Sequence, residues 1–178
     1  MYPLIRSFSE IVKGRRAAPL GLYETHVSHH ICWPWDIDLW MELNNGRTLT
    51  LFDLGRISMA ERNGFSRALR EGGFGLVVAG ASVRYRKRIT SFERIEMRTK
   101  PVGFDERFFY VVQEMWKRDG ICANQVLIRG AVTKKGKMVP PSQLLDLIDP
   151  DAEPRDLPEW VAAWAEADSK RPWPPEPI

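Results

Sequence analysis

The stretch from Asn45 to Gly64 constrains the fold most, because its apolar residues recur at helical spacing and surround most of the helix. Asn44 and Asn45 are candidate N-caps and Gly64 a candidate stop for a helix carrying Leu49, Phe52, Leu54, Ile57, Met59 and Ala60. Such a helix has to be buried on most sides. Four runs of strand character follow it, after a break at Gly72 and Gly73: "LVVAGASVRYRKR", "FERIEMRTKPVGF", "RFFYVVQEMWKRDG" and "ICANQVLIRGAVTKKG". The Asp119–Gly120 pair is a tight hairpin signal and "GFDE" from Gly103 to Glu106 is a second turn, so the strands are expected to be consecutive and antiparallel. In the first run, Val77, Ala79, Ala81, Val83 and Tyr85 are expected to share one face and Arg84, Arg86 and Arg88 the other. The layout is α+β, one antiparallel sheet wrapped around one long helix.

The remaining elements are shorter. Pro3 to Val12 reads as a helix or arm, "GRRAAPLG" as a linker, and Leu22 to Trp33 as a first strand with Tyr23, Thr25, Val27, His29 and Ile31 on one face. "PPSQLLDLID" and "LPEWVAAWAEADSKR" read as two terminal helices, and the Pro-rich end "RPWPPEPI" as extended chain. Trp160, Trp164 and Trp173 are expected to dock the C-terminal helix. The expected organisation is an N-terminal arm over 1–20, one domain over 21–148, and a C-terminal helix and tail over 149–178. A chain of 178 residues, 44% hydrophobic and 28% charged, is long enough for one domain with a full core. Cys32 and Cys122 stand apart with no Cys-x-x-Cys pair, which supports neither a zinc nor a redox site; no metal or redox cofactor is expected. No signal peptide or membrane-spanning run is visible, so a cytoplasmic protein without a membrane partner is expected.

The loop that precedes the helix reads "DIDLWMELNN", from Asp36 to Asn45, and continues into "GRTLTLFDLGR". Asp38, then the Asn44–Asn45 pair, then the helix through Arg56, followed by "VRYRKRITSFERIEMRT", resembles the hotdog-fold thioesterases, in particular 4-hydroxybenzoyl-CoA thioesterase and short acyl-CoA thioesterases. The resemblance covers about two thirds of the chain. It implies a hotdog fold with a short C-terminal helix, hydrolysis of an acyl-CoA thioester, and a homodimer or homotetramer whose site is shared between subunits. The sequence departs from that pattern in having Met41 in place of Gly, Glu42 in place of His and Thr48 in place of Tyr.

Thioester hydrolysis needs a base or nucleophile near the carbonyl carbon and a positive element near its oxygen. The amides of a helix N-terminus supply the second. By resemblance, Asp38 is the candidate base or nucleophile, and the backbone amides of Asn45 and Gly46 polarise the carbonyl. Glu42 is a second candidate carboxylate, able to act as base or to raise the Asp38 pKa by repulsion. Asn44 caps the helix and can touch substrate. Arg86, Lys87 and Arg88 are candidate binders of the coenzyme A phosphates, coenzyme A entering only as part of the substrate. Each has a plain alternative: loop acids bonding nearby backbone, Asn caps, and arginines on a solvated face. Asp36 is assigned a structural role. His29 and His30 point to opposite strand faces, against a compact metal site. A net charge of +3 with scattered positive residues argues against nucleic acid as partner. The alternative reading is a hotdog protein that binds acyl thioesters or partner proteins without turnover.

Overall fold

The computed structural model describes residues 3–151 and 155–175; residues 176–178 of the Pro-rich end lie outside them. Helix α2, Asn45–Arg62, occupies the segment marked by apolar spacing and buries Leu51, Phe52, Leu54 and Met59. Helix α1, Leu4–Arg16, is a turn longer than the sequence suggested and packs along α2, with Arg15 and Glu61 paired at 2.9 Å. Gly64, at φ 83°, turns the chain through the left-handed region. It opens a helix that the Gly72–Gly73 break concealed: α3, Phe65–Gly72, which turns Phe65 and Ala68 inward.

Six antiparallel strands form one sheet: β1 (His26–Ile31), β2 (Phe74–Tyr85), β3 (Arg94–Phe104), β4 (Phe109–Trp116), β5 (Cys122–Lys134) and β6 (Lys137–Val139). Their order is β1-β3-β4-β5-β2, with β6 paired to the end of β5. The inner face, through Ile95, Met97, Val111, Met115, Val126 and Ile128, packs on Leu51, Phe52 and Leu54 of α2. A Cβ on Gly55 would stand 2.5 Å from Met97 Sδ and 2.8 Å from Thr99 Oγ1, so the closest approach of helix to sheet depends on that glycine. This is the expected α+β hotdog arrangement, a sheet wrapped around a central helix.

Two points differ from the sequence reading: the strands are not all consecutive, because β2 pairs with β5 and not with its chain neighbour β3, and the alternation within β2 is broken. The register of β2 against β5 shifts between Val78 and Gly80, so Val78 pairs with Gly130 while Ala81 pairs with Ile128. This bulge puts Val78, not Val77, on the α2 side with Ala81, Val83 and Tyr85, because one extra residue inverts the alternation. In β1, the buried residues are His26, Ser28 and His30, and the face carrying Val27 and His29 is exposed.

The C-terminal helices are α4 (Ser142–Leu145) and α5 (Glu159–Ser169). Helix α5 lies on the outer face of the sheet, where Val161 is buried with Tyr110 and Leu127. Trp164 docks there, its ring 5.1 Å from the Arg129 guanidinium, and Asp168 pairs with Arg129 at 2.5 Å. Trp160 and Trp173 stay exposed, so one of the three expected tryptophan contacts forms. Among the described residues, no helix is long and apolar enough to cross a membrane.

Candidate functional site

The connector from β1 to α2 is anchored by Asp36. Its fully buried carboxylate takes Arg6 of α1 at 2.7 Å, Arg47 of α2 at 2.6 and 3.1 Å, and the Trp33 amide at 3.1 Å. Burial alone would raise its pKa, but hydrogen bonds from Arg47, Arg6 and the Trp33 amide outweigh it and hold the carboxyl below its ordinary value. The Asp36 carbonyl also accepts from the Asn44 amide at 2.9 Å. One acid thereby ties α1, the loop and the start of α2 together.

Between Ile37 and Leu43, which pair as an antiparallel bridge, the chain makes a tight turn. Asp38 sits at its base: its amide donates to Glu42 O at 2.9 Å, and its Oδ1 accepts from the Trp40 amide at 2.9 Å. Met41 is in the left-handed region at φ 60°. The family pattern has Gly at this position; Met there costs about 1–2 kcal/mol of backbone strain.

At the N-terminus of α2, Asn44 Oδ1 takes the amides of Gly46 and Arg47, and the Asn45 amide has no partner among the described residues. Of the two amides expected to polarise a carbonyl, Gly46's is therefore engaged by the cap and Asn45's is open. A cavity of about 270 Å³ lies beside it, lined by Glu42, Asn45, Tyr85, Arg86, Lys87 and Arg88. The structure thus brings five of the sequence-derived candidates together, while Asp38 lies outside this lining. Glu42 is paired with Arg88 at 2.8 Å, and Tyr85 Oη donates to the Asn45 carbonyl at 3.4 Å.

Asn124 of β5 completes the lining, and sequence reading missed it. The residue is buried and its Oδ1 has no hydrogen-bond partner among the described residues. An unpartnered buried acceptor on a cavity wall is costly unless a ligand or water donates to it. A lone Asn in a strand pattern carries no signal of this; only its pairing opposite Tyr85 puts it there.

A second cavity, about 490 Å³ and mostly apolar, lies between α2 and β2, with Ile57, Ala60, Leu76 and Val78 in its walls. Asp53 and Arg56 edge it. The Arg56 guanidinium donates to Asp53 and to Gln113 Oε1, and Gln113 Nε2 donates to the Phe52 carbonyl at 2.8 Å and Thr99 Oγ1 at 2.9 Å. The sequence signal for this network was an i, i+3 acid–base pair on an otherwise apolar helix.

The sequence profile of the thioesterase-like superfamily matches residues 32–165. The chain belongs to that superfamily. It is 32% identical over 110 residues to Protein THEM6 of Xenopus laevis, a match covering 61% of this chain and 53% of that protein. The chain therefore spans about half the length of that relative. Among solved structures, it resembles the DHNA-CoA thioesterase from Staphylococcus aureus (TM-score 0.61, 17% identity, 82% of this chain and 91% of that one). It also resembles the protein SAV2348 from Staphylococcus aureus, solved in complex with CoA (TM-score 0.63, 12% identity, 81% of this chain and 96% of that one). These likenesses establish the hotdog fold of the superfamily member described here.

Proposed function

We propose that this superfamily member hydrolyses acyl-CoA thioesters at the mouth of α2. The supporting observation is the convergence, on one small cavity, of the open Asn45 amide, the Glu42 carboxylate and the cations Arg86, Lys87 and Arg88. In this reading the Asn45 amide, backed by the helix dipole, polarises the thioester oxygen. Asp38, at the base of the adjoining turn, is the base or nucleophile; the Arg86–Arg88 segment receives the coenzyme A phosphates. Asn124 Oδ1 accepts from an amide N–H of the pantetheine arm, and the apolar cavity beside Leu76 and Val78 takes the acyl chain.

The test is thiol release from short, long and aromatic acyl-CoAs by wild type, Asp38→Asn and Glu42→Gln. Asp38→Asn is expected to lower kcat by about 10²–10⁴-fold. Collapse in Glu42→Gln with Asp38→Asn active would move the role to Glu42. The second reading, an acyl-thioester binder without turnover, is favoured by one observation: the carboxylate that faces the cavity is already neutralised by Arg88. Acyl-CoA binding with no thiol release across the panel would establish it.

The proposal includes a homodimer. Strand β2 runs for 12 residues with β5 as its only partner among the described residues, and Leu76, Val77, Val78 and Tyr85 along it are exposed. A long apolar strand edge is a template for pairing with a second copy. That copy would bring its own β2 residues to the cavities. Light scattering should give twice the chain mass, and Ala79→Pro, on the exposed strand, should shift it toward the monomer.

A further inference from the structure

The outer face of the sheet is only half covered. Helix α5 and the Arg155–Leu157 segment lie over β4, β5, β2 and the Val102–Gly103 end of β3, and among the described residues the strip formed by β1, the Arg94–Arg98 half of β3 and the end of β4 stays open. Strand alternation puts Arg94, Glu96 and Arg98 on this open face, beside His29 on one side and Trp116 on the other. The β4–β5 hairpin overhangs it with Lys117 and Arg118. Together they enclose a groove of about 600 Å³, within the roughly 300–1,000 Å³ range of small-molecule sites.

The charges of the groove are unbalanced. Its lining holds four Lys or Arg and one carboxylate, Glu96. Arg98 is paired with Glu96 at 2.8 Å and Lys117 with Glu93 at 2.8 Å. Arg94 and Arg118 are exposed and have no acidic partner among the described residues. By contrast, Arg129 on the covered half of the same face is neutralised by Asp168. The groove also has a flat wall. The Arg98 guanidinium lies 4.7 Å from the centre of the Trp116 ring, and Trp116 is held in place by its indole N–H donating to Glu114 at 2.8 Å. A guanidinium stacked on an indole is a preformed surface for a planar ring, and unpaired arginines suit phosphate oxygens.

We propose that this groove binds a nucleotide carrying two or more phosphates, with the phosphates at Arg94 and Arg118 and the base against the Arg98–Trp116 stack. Two sources share this chemistry: a free nucleotide, and the nucleotide end of a coenzyme A thioester. The second would carry the coenzyme A phosphates to this groove in place of the Arg86–Arg88 segment, toward which the groove's edge reaches where Lys117 Nζ donates to the Arg88 carbonyl at 3.0 Å. That arm rests on the acyl-CoA reading; the binding measurement itself does not.

The test is calorimetric titration of the full chain with ATP and with inorganic pyrophosphate. The variants are Arg94→Ala/Arg118→Ala and, as a control, Arg86→Ala/Lys87→Ala. The arginine pair is solvent-exposed, so the variant should fold, as far-UV and near-UV circular dichroism will show. ATP affinity should fall by about tenfold or more in the groove variant and stay near wild type in the control, and ATP should bind more tightly than pyrophosphate. A free-nucleotide site leaves the KM for acyl-CoA unchanged in the groove variant. A coenzyme A site raises that KM but not the KM for the matching acyl-pantetheine. Equal binding of ATP by wild type and groove variant overturns the proposal, as does loss confined to the Arg86/Lys87 control. Pyrophosphate binding as tight as ATP removes the stacking wall from it. An RNA oligonucleotide bound at least about a hundredfold more tightly than ATP would replace the small ligand with a nucleic acid.

Discussion

Replacing Asp36 by Ala should show how much of the loop is held by one buried acid. The substitution leaves Arg6 and Arg47, whose side chains are each 19% exposed, facing each other without their shared carboxylate. Removing one partner of a buried ion pair costs about 3–5 kcal/mol, because the remaining charge loses its compensation. At roughly 2–4 °C per kcal/mol for a chain of this size, the melting temperature should fall by about 6–20 °C. Urea unfolding read by tryptophan fluorescence measures the loss directly, since Trp33 and Trp35 stack beside the acid at 5.3 Å between ring centres. Hydrogen exchange should accelerate at the Trp33 amide, which loses its carboxylate acceptor, and at the amides of residues 37 to 47, which the Arg47–Asp36 contact holds in register. The pH dependence follows the lowered pKa. The stabilisation is complete above the ordinary Asp value of about 3.9 and is lost as pH falls through the lower folded value, and the variant should lack this limb. A variant within about 0.5 kcal/mol of wild type would refute the anchoring role.

Three further outcomes are expected. His30, buried against α1 and repelled by Arg6 and Lys13, is lowered to about 3, and His26, buried beside Arg62, to about 4. The unfolded chain binds protons at these sites from about pH 6.5 downward while the folded chain does not, so urea midpoints should fall between pH 6.5 and 4.5 and His30→Gln should flatten the slope. Gly55→Ala should destabilise by about 1–3 kcal/mol in thermal unfolding, although Ala is the better helix former, because its methyl meets Met97 and Thr99. Asn44→Ala should cost about 0.5–2 kcal/mol by freeing the Gly46 and Arg47 amides, and a gain in turnover alongside that loss would mean that the cap restrains amides the reaction can use.

Local pattern sufficed for the main elements. The Asn44 cap and apolar spacing marked α2, Asp119–Gly120 marked the β4–β5 hairpin, and alternation separated the strands, because caps, turns and period-two faces are set by residues close in the chain. The Asp38–Asn45 loop was legible as the junction of a carboxylate and a helix start for the same reason. What the sequence left undecided depended on contacts between distant segments. The bulge at Ala79 reversed part of β2, the Asn44 side chain claimed the Gly46 amide, and Asn124 reached the cavity only through its pairing with Tyr85. The open groove on β1 and β3 exists because α5, more than 50 residues further on in the chain, covers the other half of the same sheet. Local chemistry named the parts, and only the packed sheet decided which of them meet, because strand pairing and burial are properties of neighbours in space.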